Sequence, residues 1–125
     1  MLLSEIEPVQ VVLEFYEALR ESRINDMLGL VDPEVTCQPL VRPGLSRYRG
    51  YDGMIRLDSD IHALHGRYQM EIGQVTEQAG AQVTVQATIH PEPGRGQPPL
   101  PVTSIYLVRD GLITSIESLD GTGAR

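Results

Sequence analysis

QVTVQATIH, residues 82–90, alternates without a break. Val83, Val85, Ala87 and Ile89 point one way, while Thr84, Gln86, Thr88 and His90 point the other. That period of two predicts a strand with one face in a core and the other in a polar setting. Downstream, the Pro/Gly-rich PEPGRGQPPLP separates it from an apolar run at Val102–Val108. Asp110-Gly111 marks a tight hairpin turn, and Leu112–Leu119 reads as a last strand. Upstream, a turn at Ala79-Gly80 leads back to a strand at Tyr68–Glu77, whose internal Gly73 fits a bulge. The C-terminal half is β.

The N-terminal half has the other period. Pro8 suits the first position of a helix, where its missing N–H costs nothing. Val9, Val12, Leu13, Tyr16 and Leu19 recur at helical spacing, with Glu14, Glu17, Arg20 and Glu21 opposite. Ile24, Met27, Leu28 and Val31 outline a second, shorter helix that must stop before Pro33. Glu34–Leu40 is a first strand, broken at Pro39, and RPGLSRYRGYDG is a loop. A third helix runs from about Asp52 to His65, ends at Gly66 and buries Met54, Leu57, Ile61 and Leu64.

Three helices with one strand interposed, then a run of antiparallel strands, predict an α+β domain with helices on one face of a curved sheet. Tyr106, Val108 and Leu119 are assigned to the face away from the helices, and an apolar open face predicts a homodimer. The 125 residues are expected to form one domain, 1–125, with 121–125 a mobile tail. A composition 41% hydrophobic and 22% charged is that of a globular protein. The net charge of −7 argues against nucleic acid, whose phosphates need a basic face. Cys37 is the only cysteine, which excludes a disulfide within the chain and a cysteine-rich metal site, and fits a reduced, cytoplasmic setting. MLLSEIEP lacks the basic start and apolar run of a signal peptide, and no apolar stretch reaches the ~20 residues of a membrane span. No cofactor, nucleic acid or membrane partner is expected.

The words FYEAL, LVDPEV, YRGYDG and RDGLITSIES, in this order, resemble the nuclear transport factor 2-like superfamily, and more closely its bacterial SnoaL-like and ketosteroid isomerase-like branch. The resemblance runs from about Pro8 to Gly121. It implies a cone-shaped, curved antiparallel sheet whose three N-terminal helices enclose a deep, mostly apolar pocket. Such folds host isomerases, dehydratases, epoxide hydrolases, cyclases and pure binding modules, so fold alone does not fix function. The isomerases of this branch use a tyrosine on the first helix, a carboxylate base on the first strand and a protonated acid on a later strand. Tyr16 matches the tyrosine, the base position falls on Gln38, and the third falls at or beside Ile105, between Ser104 and Tyr106. A glutamine amide takes no proton, so the resemblance implies a pocket without that isomerase chemistry. The Asp–Arg–Asp set of the epoxide hydrolases has no counterpart, because Arg109-Asp110 sits at a turn.

Asp58, His62 and His65 fall at i, i+4 and i+7 of the third helix. They read either as an acid/base pair, Asp58 with His62, or as a surface pair with His65 closing the helix C-terminus. A metal is disfavoured, since three ligands on one helix point nearly parallel. Tyr48 and Tyr51 are either flat ligand contacts or plugs of the loop onto the core. Arg42, Arg47 and Arg49 either hold an anion at the pocket mouth or balance an acidic chain. Cys37 alternates with Gln38, so a pocket-facing Gln38 turns Cys37 away. His90 reads as a surface or dimer-contact residue, and QPPLP as a rigid turn.

The leading reading is a SnoaL-like pocket protein that binds a small molecule, an apolar or aromatic metabolite. Tyr16 and Gln38 supply hydrogen bonds, Val85, Ala87, Ile105 and Ile116 line the cavity, and Tyr48 and Tyr51 add contacts. One alternative is a cyclase-, dehydratase- or isomerase-type enzyme using Asp58 and His62. Another is a protein–protein module using the open sheet face.

Overall fold

Pro8 is the first residue of α1 (Pro8–Arg20), whose buried side carries Val11, Val12, Phe15, Tyr16, Ala18 and Leu19. Leu13, expected inside, is 41% exposed. The buried arc is centred one residue-step away, on Phe15, and Leu13 lies beyond its edge. The computed structural model describes residues 8–38, 48–78 and 81–120. The expected tail at 121–125, the Ala79-Gly80 turn and the loop bearing Arg42 and Arg47 lie outside the described residues.

α2 (Ile24–Leu28) is shorter than its apolar spacing suggests. Val31, read as its last buried position, instead starts β1 (Val31–Gln38). Pro33 therefore sits inside a strand. It is tolerated there because the β1 register slips between Val31 and Thr36, where a missing N–H breaks no ladder bond. β2 (Tyr48–Arg49) leads directly into α3 (Gly50–His65), which ends at Gly66. Gly66 has φ 69°, and a Cβ there would collide with the Glu92 carboxylate, so this turn requires glycine.

β3 (Gln69–Gln78), β4 (Gln82–His90), β5 (Leu100–Arg109) and β6 (Leu112–Asp120) form an antiparallel meander. Gly73 lies at a register shift between Ile72 and Gln74, as its place in the strand predicts. Asp110 and Gly111 both have positive φ, the primed turn that matches strand twist. The six strands run β2-β1-β6-β5-β4-β3 in a curved, unclosed sheet. The sheet is mixed: β1 pairs parallel to β6, with Cys37 opposite Ile116. All three helices pack toward the sheet's concave side, and the core lies between.

Tyr106 and Val108 are 3% and 5% exposed and belong to that core, not to the outer face. Pairing fixes their direction: Val83 faces Tyr106 across β4 and β5, and Ile116 faces it across β5 and β6. Two of the three residues expected on an apolar open face, Tyr106 and Val108, therefore sit inside the molecule. The side chain of Leu119 lies outside the described residues.

Candidate functional site

Alternation along three strands and helical spacing along two helices converge on one cavity of about 90 Å³. α1 contributes Phe15, Tyr16 and Leu19; α3 contributes Leu57, Ile61, Leu64 and His65. The sheet supplies every second residue of β5, from Leu100 to Tyr106, together with Cys37, Met70, Ala87, Ile89, Ile116 and Ser118. Most of this lining is apolar, so its few polar groups stand out.

Four hydroxyls gather on the sheet side. Ser104 and Ser118 are register partners on β5 and β6, with Oγ atoms 3.0 Å apart. The Tyr16 hydroxyl hydrogen-bonds Tyr106 and Ser104, which ties α1 to the sheet. The rings of Phe15, Tyr16 and Tyr106 meet edge-on, with Tyr16 and Tyr106 centroids 5.7 Å apart. Burial raises the pKa of both tyrosines, so each stays a neutral hydroxyl able to donate.

The helix side differs. His65 is buried in the cavity wall, and its Nδ1 meets no hydrogen-bond partner among the described residues. Burial, and then the charge of Arg95, lower its pKa and favour the neutral imidazole. Arg95 is held there because its guanidinium donates to the Ala63 and Leu64 carbonyls, capping the end of α3, while Glu92 N–H donates to His65 O. Behind His65, the Tyr68 ring lies 6.5 Å from it and 5.2 Å from the His62 ring. Tyr68 Oη and Asp58 Oδ1 are also buried without a hydrogen-bond partner among the described residues. Burial raises both pKa values; the charge of Asp58 adds to the rise at Tyr68, and His62 opposes it at Asp58. His62 Nδ1 lies 2.9 Å from the Asp58 carbonyl and 3.6 Å from its Oδ1.

The model of the SnoaL-like domain matches residues 12–116. The chain belongs to that family. Among solved structures, this SnoaL-like domain is similar to TerC co-crystallised with polyporic acid, at 22% identity and TM-score 0.77 over 92% of each chain. It is also similar to SalBIII, described as an epoxide hydrolase/cyclase-like enzyme in pyran ring formation in the polyether salinomycin. There the identity is 14% and the TM-score 0.76, over 90% of this chain and 88% of that one. A third is an NTF2-like protein of unknown function from Burkholderia pseudomallei K96243, at 18% identity and TM-score 0.75, over 92% and 91%. At these identities the likeness is one of fold. No curated protein matches the sequence.

Within this SnoaL-like domain, Tyr16, Ile116 and Ala87 line the cavity, whereas Val85 is buried in the core beside it. Gln38 does not: it is exposed and pairs in register with Glu117 on the outer face, while Cys37 takes the inner position. Burial pushes the Cys37 thiol up to about 12, so it lines the cavity as a neutral, weakly polar group. Ile105 is turned outward too, and its neighbours Ser104 and Tyr106 both line the cavity. Tyr48 is buried elsewhere, donating to Asp60 under the Arg56 guanidinium, and Tyr51 is 41% exposed. Asp58 and His62 stand outside the lining, and Arg49 is exposed. His90 pairs with Glu71 at 2.8 Å on the surface.

Sequence reasoning missed Ser118 and Tyr68, and read His65 mainly as a helix end. A tight Asp110-Gly111 hairpin, extended without interruption, would set Ser104 beside Glu117. A register shift after Leu107 brings Ser118 there instead. Among the described residues, no three of His, Cys, Asp or Glu are placed to hold a metal, and no helix is long and apolar enough to cross a membrane.

Proposed function

We propose that this SnoaL-like domain binds a small, apolar, ring-bearing molecule and orients one of its oxygens against Tyr16, Tyr106, Ser104 and Ser118. The observation that carries the reading is this cluster of four neutral hydroxyls inside an otherwise apolar cavity. Enclosed apolar walls supply affinity, and a few placed donors supply orientation. The sheet position that the isomerases give to a carboxylate holds no acid here; Cys37 faces inward beside it. The fold likeness to TerC, crystallised with polyporic acid, supports an aromatic guest.

Titration with 4-methylphenol, read by calorimetry and by NMR shifts of the Ser104 and Ser118 amides, tests this. The expected result is saturable one-to-one binding that Tyr106→Phe weakens about five- to tenfold, the worth of one hydrogen bond. Absence of saturable binding, or shifts confined to the convex face, would sink it.

A second reading is favoured by His65. A neutral imidazole with a nitrogen unpartnered among the described residues, in the same cavity as the hydroxyls, has the parts for proton transfer beside a carbonyl. His65 would accept the proton while Tyr16 and Tyr106 hold the oxygen that gains charge. His65 replaces Asp58 and His62 in this role, because neither of those lines the cavity. Solvent deuterium exchange into an α-protonated cyclic ketone, lost in His65→Gln, is the expected signature. Equal exchange in that variant would rule the role out.

A further inference from the structure

The cavity, about 90 Å³, is smaller than the roughly 150 Å³ apolar cavity that admits a benzene ring. A ring needs more room than this space alone offers. On the outside of the molecule, between α1 and β3, lies a groove of about 180 Å³ lined by Leu13, Tyr16, Glu17, Arg20, Met70 and Ile72. Tyr16 and Met70 line both spaces, so two side chains form the partition between them.

These two residues are not equally movable. Tyr16 is pinned by its hydroxyl bonds and by ring contacts with Phe15 and Tyr106. Met70 is half-buried on β3, the strand at the end of the sheet, two residues before the irregularity after Ile72. Methionine is unbranched and turns about three bonds, so it swings where a branched residue would hold. With Met70 aside, the two spaces join, and together they approach the roughly 300 Å³ at which small-molecule pockets begin.

We propose that the ligand site has two compartments joined at Met70, and that its guest is an elongated, uncharged molecule. An oxygen-bearing ring fills the inner cavity, and a short alkyl tail lies in the α1–β3 groove. The proposal rests on the ligand-binding reading above and adds the shape of the guest. Leu13 gains a purpose by it: this leucine, 41% exposed, is a wall of the groove. At the far end Arg20 stands 3.9 Å from both Glu17 and Glu21, so its charge is already shared between two carboxylates and is not free to hold an anionic tail.

The test is a series of 4-alkylphenols from methyl to hexyl, titrated by calorimetry into the whole chain. Affinity for the wild type rises about fourfold per added methylene, the worth of burying each one. Leu13→Asp keeps its affinity for 4-methylphenol, which also reports that it folds, and loses the gain from longer chains. Met70→Ile lowers the ratio of long-chain to short-chain affinity. A flat series in a wild type that binds 4-methylphenol overturns the outer compartment and leaves the inner site standing. So does a gain that persists in Leu13→Asp. Failure of every member to bind overturns both readings.

Discussion

Tyr16, Tyr106, Ser104 and Ser118 pair their hydroxyls with one another, whereas His65 Nδ1, Tyr68 Oη and Asp58 Oδ1, on α3 or just beyond it, meet no hydrogen-bond partner among the described residues. The first group lines the cavity on its sheet side; of the second, His65 lines it from α3, and Tyr68 and Asp58 lie outside the lining. A satisfied buried hydrogen bond adds about 1 kcal/mol net, while each orphaned buried polar atom costs about 1–3 kcal/mol. The sheet side therefore holds the cavity's shape. The helix side lowers stability as it stands, and unmet polar groups are characteristic of places where a structure serves chemistry rather than folding.

The largest expected break in this contrast is Tyr106→Ala, which removes a buried ring touching both Phe15 and Tyr16. Urea denaturation should show a loss of about 3–5 kcal/mol. Tyr106→Phe keeps the rings and deletes one hydroxyl, and should cost about 1 kcal/mol. A cost near zero for the phenylalanine would mean that the hydroxyl cluster does not stabilise the sheet side.

On the helix side the sign reverses. Asp58 has its pKa raised by burial, with His62 opposing, so at neutral pH the folded chain carries a carboxylate it would rather protonate. Asp58→Asn should stabilise the protein by about 1 kcal/mol at pH ~7. That gain should shrink as pH falls through the raised folded value and the wild-type carboxyl takes up its proton. A destabilised variant at neutral pH would show that the His62 contact outweighs the burial of the carboxylate.

The smallest expected effect is a slope. His65 is lowered from 6.5 by burial and then by Arg95, so the folded state resists the proton that the unfolded chain accepts. Stability is complete above 6.5 and is lost as pH falls through the lowered folded value. Denaturation midpoints followed from about pH 7.5 to about pH 5 should fall less steeply in His65→Gln than in the wild type. Identical slopes would show that His65 takes up its proton without strain.

Much of the fold was legible because local pattern and tertiary need coincide. QVTVQATIH alternates and lies with one face in the core; Asp110-Gly111 marks a turn and makes one. Legibility failed where a strand's phase had to be chosen. In β1, Val35 and Cys37 are apolar, and Thr36 and Gln38 polar, so alternation alone turns Cys37 inward. The match to the isomerase base position pointed to Gln38 instead, and the apolar pattern won. In β5, Ile105, Tyr106, Leu107 and Val108 have no polar break to set a phase. Pairing with Val83 and Val85 of β4 sets it, and no single-strand pattern contains that pairing. α2 failed for a related reason: Val31 continues a helical spacing, yet pairs with Ile113 in the sheet.

The parallel seam between β1 and β6 has a consequence for how the chain folds. Cys37 and Ile116 face each other there, and both line the cavity, although about eighty residues of chain lie between them. Contacts that distant form late, because a long loop must close before they contribute. The cavity thus comes into being only when the last strand docks beside the first. Any guest it holds is bound by the finished fold and by nothing earlier on the pathway. Such a guest should slow unfolding while leaving the rate of folding unchanged.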